Sequence, residues 1–167
     1  MPFTVHATKK LLDRMGRKAA PAVLSSTALG GWYANLVPWR RPLVLLVNET
    51  TLLPVLMPLA PAATLTARFP EALAEVLRMH GTDERFVAAE LREMDEAHLA
   101  KTVNRSVTGI LVDFIALMEH RRASGDEIDL LETARRLGHT PCSPLYKSHT
   151  FPDRALKALV NERLGTV

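Results

Sequence analysis

The stretch WYANLVPWRRPLVLLVNETTLLPVLM, residues 32–57, decides the fold. Three apolar runs, Trp32 to Val37, Leu43 to Val47 and Leu52 to Met57, are separated by turn chemistry: Pro38-Trp39-Arg40-Arg41-Pro42, then Asn48-Glu49-Thr50. Short β-prone runs between such breaks are the pattern of hairpin-connected strands, so the stretch predicts an antiparallel meander. Leu43-Val44-Leu45-Leu46-Val47 has no polar alternation, which predicts a strand buried on both faces and flanked on both sides. Pro54 has no N–H to give to a ladder, which puts the third strand at an edge.

Toward the N-terminus, Phe3 to Val5 reads as a further short strand, and Ala7 to Met15 as a helix stopped by Gly16. Ala19 to Gly31, a mixture of Ala, Pro, Ser and Gly, reads as a loop. Toward the C-terminus the period becomes helical. Phe69, Leu73, Val76 and Leu77 share a face before Gly81, and Thr82 caps a second helix with Asp83 and Glu84 in its first turn. Leu99 to Val103 reads as a strand. Val107, Ile110, Leu111, Phe114, Leu117 and Met118 then form the longest helical stripe. Asp126 with Asp129 opens a helix ended by Gly138, and Pro152 or Asp153 opens the last, closed by Gly165.

The expectation is one α+β domain over residues 1–167. Its sheet is small and mostly antiparallel, with strands near 3–5, 32–37, 43–47, 52–57 and 99–103, and it packs against several helices. The part from residue 126 forms a helical extension. Grouped strands followed by helices argue against a doubly wound sheet.

A 47% hydrophobic content is enough to bury a core. Cys142 is the one cysteine, which excludes an intrachain disulfide and fits a reducing, cytoplasmic setting. No apolar run follows the start, where Lys9, Lys10, Asp13 and Arg14 intervene, so no signal peptide is expected. Pro54, Pro58 and Pro61 interrupt the most apolar stretch, and a membrane partner is not expected. Residues 1–50 hold Lys9, Lys10, Arg14, Arg17, Lys18, Arg40 and Arg41 against only Asp13 and Glu49, whereas residues 68–100 are acidic. This asymmetry suits a surface that attracts anions, although solvated faces are the more ordinary outcome.

There is no Walker A loop, GxGxxG, HExxH or GxSxG. His139, Cys142 and His149 match no zinc spacing, so neither a metal nor a cofactor is expected. Cys142, set between Pro141 and Ser143-Pro144, lacks an activating helix start, which argues against a Cys–His nucleophile. Lys101-Thr102-Val103-Asn104-Arg105-Ser106 is more suggestive. Asn104 or Ser106 can cap the strongest helix, while Lys101 and Arg105 bring positive charge to the positive end of its dipole. An anion would compensate that charge, and so would a carboxylate such as Asp113. Trp32, Tyr33 and Trp39 beside Arg40 and Arg41 resemble a stacking platform, but aromatic residues in strands are more often core.

Four segments carry a resemblance. They are His6-Ala7-Thr8-Lys9-Lys10-Leu11-Leu12, Gly31-Trp32-Tyr33-Ala34-Asn35-Leu36, Val47-Asn48-Glu49-Thr50-Thr51-Leu52, and Lys101 to Gly109 with Asp113 behind. Their order resembles an uncharacterised bacterial family of domains of unknown function, and the tail from Thr140 to Lys147 resembles only a subset of it. The resemblance nominates Thr8, Lys9, Trp32, Asn35, Asn48, Asn104, Arg105, Ser106 and Asp113 as site positions. A buried polar network that fixes the fold would use the same residue types. The resulting expectation is a non-catalytic domain that binds nucleic acid or a phosphate-bearing small molecule. The alternatives are a phosphodiester-hydrolase-like enzyme using Asp113 or a histidine, and a homodimer formed through the edge strand near Pro54.

Overall fold

Alternation along each strand sorts the apolar residues onto two faces, and the architecture follows from what covers each face. The computed structural model describes residues 1–122 and 128–165. Its strands are β1 (Pro2–Ala7), β2 (Trp32–Val37), β3 (Leu43–Asn48), β4 (Pro54–Pro58) and β5 (Glu96–Lys101). Its α-helices are α1 (Lys9–Met15), α2 (Leu65–Met79), α3 (Glu84–Glu93), α4 (Arg105–Arg122), α5 (Leu130–Gly138) and α6 (Pro152–Leu164). The helix start expected at Asp126 lies outside the described residues; Asp129 is the N-cap of α5, its side chain accepting the Glu132 N–H.

The fold is α+β, as expected, but the sheet is mixed rather than mostly antiparallel. Its order is β4-β3-β2-β1-β5, with β1 parallel to both β2 and β5, and β2-β3-β4 an antiparallel meander. The meander is the part that turn chemistry specifies. The parallel half arises because residues 8–31, which contain α1, are long enough for a crossover that returns the chain alongside β1 in the same direction. β3 is buried throughout and flanked on both sides, and β4, with Pro54 as its first residue, is an edge.

Several boundaries move. β1 runs to Ala7, the expected first residue of the helix, so that α1 starts only at Lys9 after its Thr8 cap. β5 begins three residues earlier than its expected start, at Glu96. The third run of the meander enters the sheet at Pro54 rather than Leu52, because Leu52 has φ 62 and belongs to the preceding turn.

Phe3, Val5, Ala7, Trp32, Ala34, Leu36, Val44 and Leu46 face α1, α2 and α3. The intervening residues Tyr33, Val37, Leu43, Leu45 and Val47 face Val107, Ile110, Leu111, Phe114 and Met118 of α4. Leu117 lies at the margin of this second layer, half-buried. The C-terminal helices supply both layers: Ala134, Leu156 and Val160 join the first, and Leu137 and Ala155 the second.

Leu111 is completely buried under α4. Leu111→Ala should cost about 2–5 kcal/mol through lost contacts and a residual cavity. Urea titration should show a midpoint about 1 M lower or more, given m-values of about 1–3 kcal/mol/M; an unmoved midpoint would contradict the core assignment. The amides of Leu43 to Val47, paired on both sides, should be among the slowest to exchange with deuterium.

Candidate functional site

Period-two alternation also sets the polar chemistry of β1 and β2. Their register pairs His6 with Tyr33 and Ala7 with Ala34, so His6 and Thr8 share one side of the sheet with Tyr33 and Asn35. The His6 ring stacks on the Tyr33 ring with centroids 4.6 Å apart. One step along, the Thr8 hydroxyl donates to Asn35 Oδ1 at 2.7 Å, and the Leu36 N–H donates to the same oxygen at 2.8 Å. A backbone N–H can only donate, so the atom it meets must be the amide oxygen. Asn35 Nδ2 is thereby turned away, with no partner among the described residues.

The same logic fixes His6. Its Nδ1 lies 2.7 Å from the Lys101 carbonyl oxygen, which only accepts, so Nδ1 carries a proton and donates it there. The side chain is 8% exposed, and Nε2 has no partner among the described residues and is not sealed from solvent.

Tyr33 continues the chain of contacts into α4, its hydroxyl oxygen accepting the Asn104 N–H at 3.1 Å. Asn104 is the cap of α4: its Oδ1 accepts from Ser106 N–H at 3.0 Å and Val107 N–H at 3.3 Å. Arg105 opens the helix, exposed, and no carboxylate among the described residues pairs with it. Lys9 and Lys101 are likewise exposed.

Topology explains why these groups meet. β1 and β5 are parallel neighbours, but the helix after β1 packs on one face of the sheet and the helix after β5 on the other. The two connections therefore leave the carboxyl ends of β1 and β5 toward opposite faces of the sheet, the kind of position where open sheets of parallel strands can hold ligands.

Of the nominated residues, Thr8, Lys9, Asn35, Asn104, Arg105 and Ser106 belong to this end of the sheet. Three do not. Trp32 is core, packed edge-on against Phe69 with centroids 5.0 Å apart. Asn48 is fully buried: its amide N–H groups donate to the Leu29 and Gly31 carbonyls, and its Oδ1 accepts from Thr50, Thr51 N–H and the Thr51 hydroxyl. Asp113 is exposed rather than the buried partner of Arg105; eight residues along an α-helix is about 12 Å. The aromatic platform is also core, since Tyr33 is buried and the face of Trp39 is occupied by the Arg122 guanidinium, 4.1 Å from the ring centroid.

His6 and Tyr33 are the residues that the motif reading missed as site members. Their two-residue spacing from Thr8 and Asn35 is the signal that ties them to the same face.

No three His, Cys, Asp or Glu side chains converge as metal ligands among the described residues. Cys142 is buried with its thiol directed at the Thr140 carbonyl, and burial, helped by the nearby Asp113 charge, pushes its pKa up to about 11.

A five-stranded mixed sheet packed against helices defines an α+β domain. The chain belongs to the family described as a domain of unknown function, DUF6933, whose model matches residues 4–155. No curated protein and no solved structure matches it. The matched span holds Thr8, Lys9, Asn35, Asn104, Arg105 and Ser106. Among the described residues, no helix is long and apolar enough to cross a membrane.

In the native protein Cys142 should resist a disulfide reagent at pH 8 and react fully once urea unfolds the chain, because reactivity follows the accessible thiolate. Rapid modification of the folded protein would contradict this burial.

Proposed function

We propose that this domain is a non-catalytic cytoplasmic module that binds a small phosphate-bearing anion in the crevice at the ends of β1 and β5. The observation that carries the reading is the Asn35 amide: its oxygen is held by Thr8 and Leu36, so its N–H groups are presented without a partner. At the same end of the sheet are the positive end of the α4 dipole, whose Ser106 and Val107 N–H groups are already held by Asn104 Oδ1, and the exposed cations Lys9, Lys101 and Arg105. A phosphate would offset the positive charge that Arg105 adds to the helix start.

The short crevice suits a nucleotide or sugar phosphate better than a long strand, since a nucleic-acid track needs a basic groove lined with stacking faces. Those aromatic faces are here taken up by the core or by Arg122. Pairing through the edge strand is also disfavoured: Pro54, Val55, Leu56 and Met57 are already buried in the monomer.

One observation favours a second reading. His6 gives Nδ1 to the Lys101 carbonyl and so turns Nε2 away from it, the nitrogen that would serve as general base in a phosphodiester hydrolase.

Calorimetry with pyrophosphate at low salt should detect binding that weakens as salt rises. Arg105→Ala and Asn35→Ala should each lower affinity roughly tenfold, about 1.4 kcal/mol. Arg105→Ala should leave the melting temperature nearly unchanged, because no buried charge is stranded. A large stability loss in Arg105→Ala, with no binding of pyrophosphate or of a single-stranded oligonucleotide, would refute the reading. Turnover of bis(p-nitrophenyl) phosphate that disappears in His6→Ala would favour the enzyme instead.

A further inference from the structure

α4 is apolar on more than the face it buries. Val107, Ile110, Leu111, Phe114 and Met118 pack into the second core layer. A turn of about 100° per residue puts Arg105, Gly109, Val112, Ala116 and Glu119 on the opposite side, and all five are exposed. Between its two ends this outward strip carries no charge, and Asp113 lies at its margin. Val112, at the middle, is 58% exposed, and Val103, just ahead of the helix, is 75% exposed. A Cβ on Gly109 would meet nothing within 4 Å, so packing inside the chain does not call for a glycine there.

The two ends of the strip carry opposite charges. Arg105 precedes Val112 by seven residues and Glu119 follows it by seven, about 10 Å in each direction. Neither has an ion-pair partner among the described residues.

Such a strip is its own complement. A second α4 laid antiparallel, with a two-fold axis at Val112, sets Val112 against Val112 of the second copy. It also sets each Arg105 against the Glu119 of the other helix, so the ion pair forms twice. A parallel pair would instead oppose Arg105 to Arg105 and Glu119 to Glu119. Gly109 and Ala116 leave little bulk beside Val112, which lets two helix axes approach closely.

We propose that α4 pairs antiparallel with α4 of a second copy of this chain, through Val112 flanked by two Arg105–Glu119 ion pairs. One helix face buries less than the roughly 1,200 Å² of total area usual in stable complexes, so the association is weak and depends on concentration.

The test is sedimentation velocity on the full chain at low salt, in a buffer free of phosphate, so that its outcome does not depend on anion binding at Arg105. The unmodified chain should move from monomer toward dimer between about 10 µM and about 1 mM. Over the same range the amide resonances of Gly109, Val112 and Ala116 should shift. Val112→Asp should abolish the association, and Glu119→Arg should weaken it at least roughly tenfold. Adding Arg105→Glu to Glu119→Arg should restore it, because the swap rebuilds both ion pairs. Both changes also suit the helix dipole, so circular dichroism should show an intact fold. A chain that stays monomeric at about 1 mM would overturn the proposal. So would a dimer indifferent to Val112→Asp, or a charge swap that restores nothing. The resonance shifts of the unmodified chain decide the matter even where a variant fails to fold: shifts confined to residues outside α4 would place the contact elsewhere and overturn it.

Discussion

The structure depends on the seating of β1 between two parallel neighbours. Six residues, Pro2 to Ala7, pair with β5 along one edge, and Val5 to Ala7 pair with β2 along the other. This doubles the backbone hydrogen bonding of one short segment and sets the relative heights of three strands at once. Since β1 is shared, a one-residue slip would turn Phe3 and Val5 out of the first core layer and His6 into it. The register is therefore held by the cost of taking Phe3 and Val5 out of the layer of Trp32, Phe69 and Leu73 and of stripping His6 of its hydrogen bond to the Lys101 carbonyl.

The same seating leaves part of β1 without a strand partner, and side chains take over there. Thr4 N–H donates to the Ser25 hydroxyl, and the Thr4 hydroxyl donates to the Val23 carbonyl. The loop before β2 is anchored further by Glu90, whose two carboxylate oxygens accept from Ala28 and Leu29 N–H. Burial raises the pKa of Glu90, and the two N–H bonds oppose that shift. Gly31 lets Glu49 close in, since a Cβ there would come within 2.9 Å of the carboxylate. Asn48 completes this end of the sheet. Its side chain does the work of a small piece of backbone, and it leaves Leu52 in its left-handed turn.

The nominated motif residues thus divide by end of the sheet. Asn48 and Trp32 stabilise the end where the chain enters β2, through a saturated hydrogen-bond network and a packed indole. Thr8, Asn35 and Asn104 lie toward the opposite end, where the satisfied atoms hold others free: Asn35 Nδ2 and His6 Nε2 are available because their partner atoms are not. A saturated polar network at one end of the sheet and a set of polar groups with unpartnered atoms at the other are built from the same residue types.

The sequence by itself determined the meander, the edge position of Pro54 and the α4 stripe, and narrowed the α4 cap to Asn104 or Ser106, because each rests on contacts within a few residues along the chain. It also pointed to Thr8, Asn35 and Arg105 as members of one pattern. Only the tertiary structure decided that β1 and β5 lie side by side in parallel, and so that Thr8 meets Asn35 while Asp113 lies far from Arg105. Local pattern is silent on such pairings, because the energy that selects a parallel neighbour comes from burying both faces of the finished sheet. The free atoms of His6 and Asn35 were illegible for the same reason: which end of a side chain is left unpaired depends on partners that only the assembled sheet brings within reach.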